Sequence, residues 1–68
     1  MDDPARRLHH YLSGQAFPAA RWELIATAEA FGADGRTRSE LRAIPPATYR
    51  DVPEVVRAIL RAGRRPAA

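Results

Sequence analysis

The stretch "ELIATAEAFGADGRTRSELRAIPP", Glu23 to Pro46, decides the fold. Leu24, Ala28 and Phe31 recur at i, i+4 and i+7, with Trp22 and Ile25 flanking them. That is the spacing of an amphipathic helix, and it predicts one over about residues 19–31. Gly32 is placed to take the left-handed conformation that closes such a helix. A short helix is expected next, over about residues 37–43, with Thr37 and Glu40 at capping-box spacing. Leu41 and Ile44 are its large apolar groups. Pro45 and Pro46 then stop it, because proline lacks the N–H that a helix interior needs and clashes with the preceding turn.

Both flanks carry the same kind of punctuation. Asp3 is a candidate N-cap with Pro4 at the first helical position, which predicts a helix to about Ser13. Its inward side is Ala5, Leu8 and Leu12 with Tyr11 beside them, and Gly14 follows as its stop. Toward the other end, Asp51 and Glu54 bracket Pro53 at the start of a helix over about residues 52–62. There Val52, Val55, Val56, Ile59 and Leu60 form one apolar stripe, and Gly63 marks the end. The closing "RRPAA" reads as a flexible basic tail. Apolar and polar residues do not alternate over any sustained run, so strands are not expected. The expectation is an all-α fold: a single small domain, a bundle of three main helices plus one short helix.

From Tyr11 to Leu60 the chain resembles the bacterial family known as domain of unknown function 2795. The resemblance is carried by "YLSGQAFPA" (11–19), "ELIATAEAFGAD" (23–34), "LRAIPPATY" (41–49) and "VPEVVRAI" (52–59). It implies a small α-helical domain and brings no activity and no functional residues with it. Two departures stand out. Ala20 replaces the Ser-like cap that relatives carry after Pro-Ala, and "GRTRSE" (35–40) makes the third helix more basic than in those relatives. Residues 23–44 are also similar to the SAP DNA-binding motif, although Ala33 stands where that motif has a bulky aliphatic and the spacing to Leu41 is one residue short.

Composition narrows the function classes. With 68 residues the core is thin, and with no cysteine there is neither a disulfide nor a thiolate metal site to reinforce it. His9 and His10 are adjacent, so on a helix they point about 100° apart and do not form a metal-binding pair. Ser13 and Ser39 have no evident base, and no glycine-rich phosphate loop follows a strand. An enzyme is therefore not expected, nor a cofactor. "MDDPARR" lacks the apolar region of a secretory signal, and no apolar run is long enough to span a bilayer, so a cytoplasmic protein is expected.

Charge supplies the positive hint. All eleven basic residues are arginine. Residues 1–35 hold three Arg against five acids, and residues 36–68 hold eight Arg against three, so −2 and +5 make the net +3. Arginine and alanine are together abundant, as GC-rich codon usage also produces. Two accounts stay open. In one, Arg36, Arg38, Arg42, Arg57 and Arg61, with Arg64 and Arg65 as helpers in the tail, bind the phosphates of DNA or RNA with little sequence reading. In the other the domain is a protein-interaction or homodimer module, and the arginines are its wet face. Glu54 stands three residues before Arg57, within reach to pair with it. Trp22 is expected at the edge of the core, and Tyr49 with its ring inward and its hydroxyl on a helix end.

Overall fold

The computed structural model describes residues 3–63. Four helices are present, α1 (Pro4–Tyr11), α2 (Arg21–Ala30), α3 (Gly35–Ala43) and α4 (Val52–Gly63), with two two-residue strands, β1 (Ala19–Ala20) and β2 (Thr48–Tyr49). The fold is therefore mostly α, as the punctuation predicts. α2 packs chiefly on α3 and α1 on α4, while α3 also meets α4. One core joins them, built on Leu8, Leu12, Leu24, Ala28, Leu41, Ile44, Val55 and Ile59.

Local chemistry explains the boundaries. The Asp3 carboxylate accepts the Ala5 N–H at 3.0 Å, and Pro4 follows as the first helical residue, so α1 begins where a cap and a pre-set φ coincide. It ends at Tyr11 with Leu12 as C-cap, short of Gly14. Gly14 lies against the Phe31 ring, where even a Cβ would stand 3.4 Å from Cζ, an ordinary van der Waals contact. α2 closes as expected. Gly32 has φ 77°, its N–H reaches the Glu29 carbonyl at 3.0 Å, and the Ala33 N–H reaches the Ala28 carbonyl at 2.9 Å. This pair of bonds is the Schellman pattern, which satisfies carbonyls that a helix end otherwise leaves open.

The strands are the first difference from expectation. β1 and β2 pair antiparallel, Ala19 with Tyr49 and Ala20 with Thr48. Two residues cannot show an alternation of apolar and polar positions, so the ladder leaves no periodic trace in the sequence. Its effect is large nonetheless, because it draws the segment after the double proline against the start of α2. The Arg21 N–H extends the contact to the Ala47 carbonyl at 3.3 Å. The peptide bond between Phe17 and Pro18 is cis.

α3 starts two residues earlier than the expected Thr37. Its N-cap is Asp34, whose Oδ1 accepts the Thr37 N–H at 2.8 Å, so the proposed Thr37–Glu40 capping box does not form. Thr37 is wholly buried inside the helix. At α2 the loss of a cap at Ala20 is real, since no side chain caps that end, but Glu23 turns back and accepts the Ala20 N–H at 2.9 Å. α4 is capped by Asp51, which accepts the Glu54 N–H at 2.9 Å, and Gly63 is its last helical residue. The stripe of α4 is narrower than expected: Val52, Val55 and Ile59 are buried, Val56 is half-buried, and Leu60 is 44% exposed. Phe31, as C-cap of α2, is 49% exposed.

Candidate nucleic-acid interface

The candidate arginines fall on two helices, and their surroundings differ. On α3 each has a local structural relation. Arg36 Nε stands 3.7 Å from Glu40 Oε2, one turn along the same helix. Arg42 Nη2 is 3.5 Å from Glu29 Oε2 on α2, so it bridges the two helices. Arg38 is half-buried, and its Nε is sealed from solvent with no hydrogen-bond partner among the described residues.

Glu40 also receives an arginine that sequence reasoning did not single out. Arg7, on α1, donates from Nη1 to Glu40 Oε1 at 2.5 Å and to the Thr37 hydroxyl at 2.8 Å. The Arg7 side chain is only 11% exposed, so this is a largely desolvated, charge-assisted cluster tying α1 to α3. Its partners lie 30 and 33 residues away in the chain, beyond the reach of any local spacing rule. Hydrogen bonds from the Thr37 hydroxyl and from its backbone N–H, with smaller help from Arg7 and Arg36, hold the Asp34 carboxyl below its ordinary range. The acidic and basic groups of this end thus satisfy one another.

α4 presents the opposite case. Arg57 and Arg61 are exposed and, among the described residues, neither forms an ion pair. The Glu54–Arg57 pair that the spacing allows is replaced: Glu54 turns toward the helix start, where it accepts the Arg50 N–H, and its Oε2 lies 3.4 Å from Arg50 Nε. Arg57 and Arg61 are one turn apart, about 6 Å along the axis. Both line a groove of about 400 Å³ between α4 and the Pro45–Tyr49 segment. Pro45, Ala47 and Tyr49 form the facing wall, and Glu54 lines the groove as well. Tyr49 is built as expected, its ring buried and its hydroxyl donating to the Pro45 carbonyl at 2.7 Å. That bond fixes the turn which forms the wall, and desolvation raises the Tyr49 pKa above its ordinary value.

A second, smaller groove of about 190 Å³ lies on the other side of the same segment. Ala20, Arg21 and Trp22 line it against Pro46, Ala47 and Thr48, so Ala47 borders both grooves. Trp22 is not at the core edge as expected but 71% exposed. It precedes Leu24 by two positions, about 200° around the helix, so burying Leu24 turns Trp22 outward. Arg21 donates from Nη1 to the Ile44 carbonyl at 3.0 Å, where a cation complements the end of α3.

Arg64 and Arg65 lie outside the described residues. His9 and His10 are exposed at the end of α1. Among the described residues no three His, Cys, Asp or Glu side chains gather as a metal site, and no helix is long and apolar enough to cross a membrane.

The family model described as "Protein of unknown function (DUF2795)" matches residues 4–56. The chain belongs to that family. The match runs from the start of α1 into α4, so the DUF2795 unit includes α1 to α3, the β1–β2 ladder and Arg50 to Val56, and stops just before Arg57 and Arg61. No curated protein and no solved structure matches the chain.

Proposed function

We propose that this chain is a non-enzymatic binding module that holds nucleic acid by its phosphates, with Arg57 and Arg61 as the principal contacts. The observation that carries this reading is that those two guanidiniums line one groove and, among the described residues, form no ion pair. A guanidinium offers a planar fork of donors suited to phosphate oxygens. Two of them a helical turn apart present a pair of positive charges on a rigid element, and the one acid lining the groove, Glu54, is paired with Arg50. Arg36, Arg38 and Arg42 add to the positive field of this half of the protein without contacting the phosphates, since Arg36 and Arg42 are engaged by Glu40 and Glu29 and Arg38 is half-buried.

A second reading, a protein partner, is favoured by the exposed apolar area of Trp22, Phe31 and Leu60. Of these three, Trp22 lines one of the two grooves described. The two readings separate in a fluorescence anisotropy titration with short labelled DNA at about 50 mM and about 200 mM salt. Phosphate binding predicts a dissociation constant of roughly 10⁻⁴ to 10⁻⁶ M at physiological salt, tightening as salt falls, because each contact releases counterions. Absence of any anisotropy change at the lower salt transfers the assignment to the protein partner.

A further inference from the structure

We infer that the nucleic acid held here is single-stranded, with a base stacked on Trp22 and neighbouring phosphates on Arg57 and Arg61. This rests on the phosphate-binding reading above and adds the form of the ligand. A 71% exposed tryptophan in one groove, with two arginines that form no ion pair among the described residues in the adjoining groove, supplies the two features that single-strand sites use, a stacking platform and a charged track.

Placement supports the combination. The Trp22 groove and the Arg57–Arg61 groove flank one segment, Pro45–Tyr49, and share Ala47 on it. In the strand part of that segment Thr48 lines one groove and Tyr49 the other, as alternating side chains of an extended chain do. The two grooves therefore meet along one short segment of chain, with Ala47 in the wall of both. A flexible single strand crossing this ridge can place a base on one side and its phosphates on the other. A duplex cannot do so cheaply, since its bases are already stacked and exposing one costs a few kcal/mol. The ridge is held by the β1–β2 ladder and by the Tyr49–Pro45 bond, so the two halves keep a fixed spacing. Charge complements an anionic strand: Arg57, Arg61 and Arg21 line the grooves against Glu54, which is paired with Arg50.

Trp22 is the lone tryptophan, so emission excited at the long-wavelength edge of its absorption, where Tyr11 and Tyr49 barely absorb, reports this site alone. The intact chain is titrated with short oligothymidylate, with a duplex of mixed sequence, and with polyglutamate of equal charge. Quenching by the single strand is expected, with little change from the duplex. Trp22→Ala should weaken single-strand binding about 5- to 150-fold, the range that stacking of a base on an aromatic ring supplies, and Trp22→Phe should retain most of it. Duplex affinity measured by anisotropy should be the same in all three proteins. Unchanged tryptophan emission at saturating oligothymidylate overturns the stacking inference while leaving phosphate binding standing. Equal quenching by polyglutamate overturns it in favour of an acidic peptide. Failure of both nucleic acids to bind at low salt removes the phosphate reading itself.

Discussion

α3 and α4 each carry arginines on a helix of similar length, yet only one helix keeps them available. Around α3 the charges close on one another: Arg36 and Arg7 on Glu40, Arg42 on Glu29, and the Arg38 Nε is shut away from water. Along α4 the nearest acid, Glu54, is paired with Arg50, and Arg57 and Arg61 line the same groove without an ion pair among the described residues. A count of basic residues treats these two groups alike. What separates them is whether a carboxylate reaches the guanidinium: Glu40 of the same helix reaches Arg36, Glu29 of α2 reaches Arg42, and Glu54 is taken by Arg50 instead of Arg57.

The sharpest way to break this comparison is at its structural end. Arg7→Ala removes the donor shared by Thr37 and Glu40 and leaves a buried hydroxyl and a partly buried carboxylate without it. Hydrogen bonds to charged groups are worth about 1.5–3 kcal/mol, so urea denaturation should show a loss of that size. In a domain this small, with roughly 3–5 kcal/mol in hand, that is a large share of the total. A variant as stable as wild type would mean that the α3 end is not held by its charges.

Next comes acid. Because the folded state depresses the Asp34 pKa, its contribution is fully present above the unfolded carboxylate value, about 3.9, and is lost as pH falls through the folded value. Asp34→Asn should therefore be less stable than wild type at neutral pH, and the gap should shrink as pH falls below about 4. A gap independent of pH would remove the charge from the account of this cap.

Smaller effects sharpen the contrast. Arg42→Ala breaks an exposed bridge and should cost about 0–1 kcal/mol. Arg38→Met keeps the buried stem and removes a donor that has no partner among the described residues, so its thermal midpoint should not fall, since replacing an unsatisfied buried polar atom is neutral or favourable. A marked drop would show that Arg38 has a partner that matters.

Much of the fold is legible in the sequence because helix ends are written in single residues. Asp3–Pro4, Gly32 and Asp51 each carry a capping requirement that acts within a few positions, and the structure uses all three. Leu24, Ala28, Leu41 and Val55 are buried as their spacing implies. The site is less legible. Trp22 invites burial by its size, but its angle from Leu24 points it to solvent. Thr37 and Glu40 have the spacing of a capping box, yet Asp34 lies one turn earlier and Arg7 reaches both from another helix. The grooves depend on a ladder of two residues per strand, too short to show a period, which brings Pro45–Tyr49 between α2 and α4. A reading confined to neighbours along the chain finds the helices and misses the ridge.

The central claim is that the α4 arginines meet the partner while Arg36 and Arg42 of α3 are engaged by carboxylates of the protein itself. The most direct test is the salt dependence of oligonucleotide affinity for three proteins: wild type, Arg57→Ala with Arg61→Ala, and Arg36→Ala with Arg42→Ala. Each lost phosphate contact should flatten the slope of log K against log salt by about 0.7 on a single strand, so the α4 pair should flatten it by about 1.4. The α3 pair should leave the slope near the wild-type value. An α3 variant that flattens the slope as much as the α4 variant, or an α4 variant that leaves it unchanged, would contradict the account.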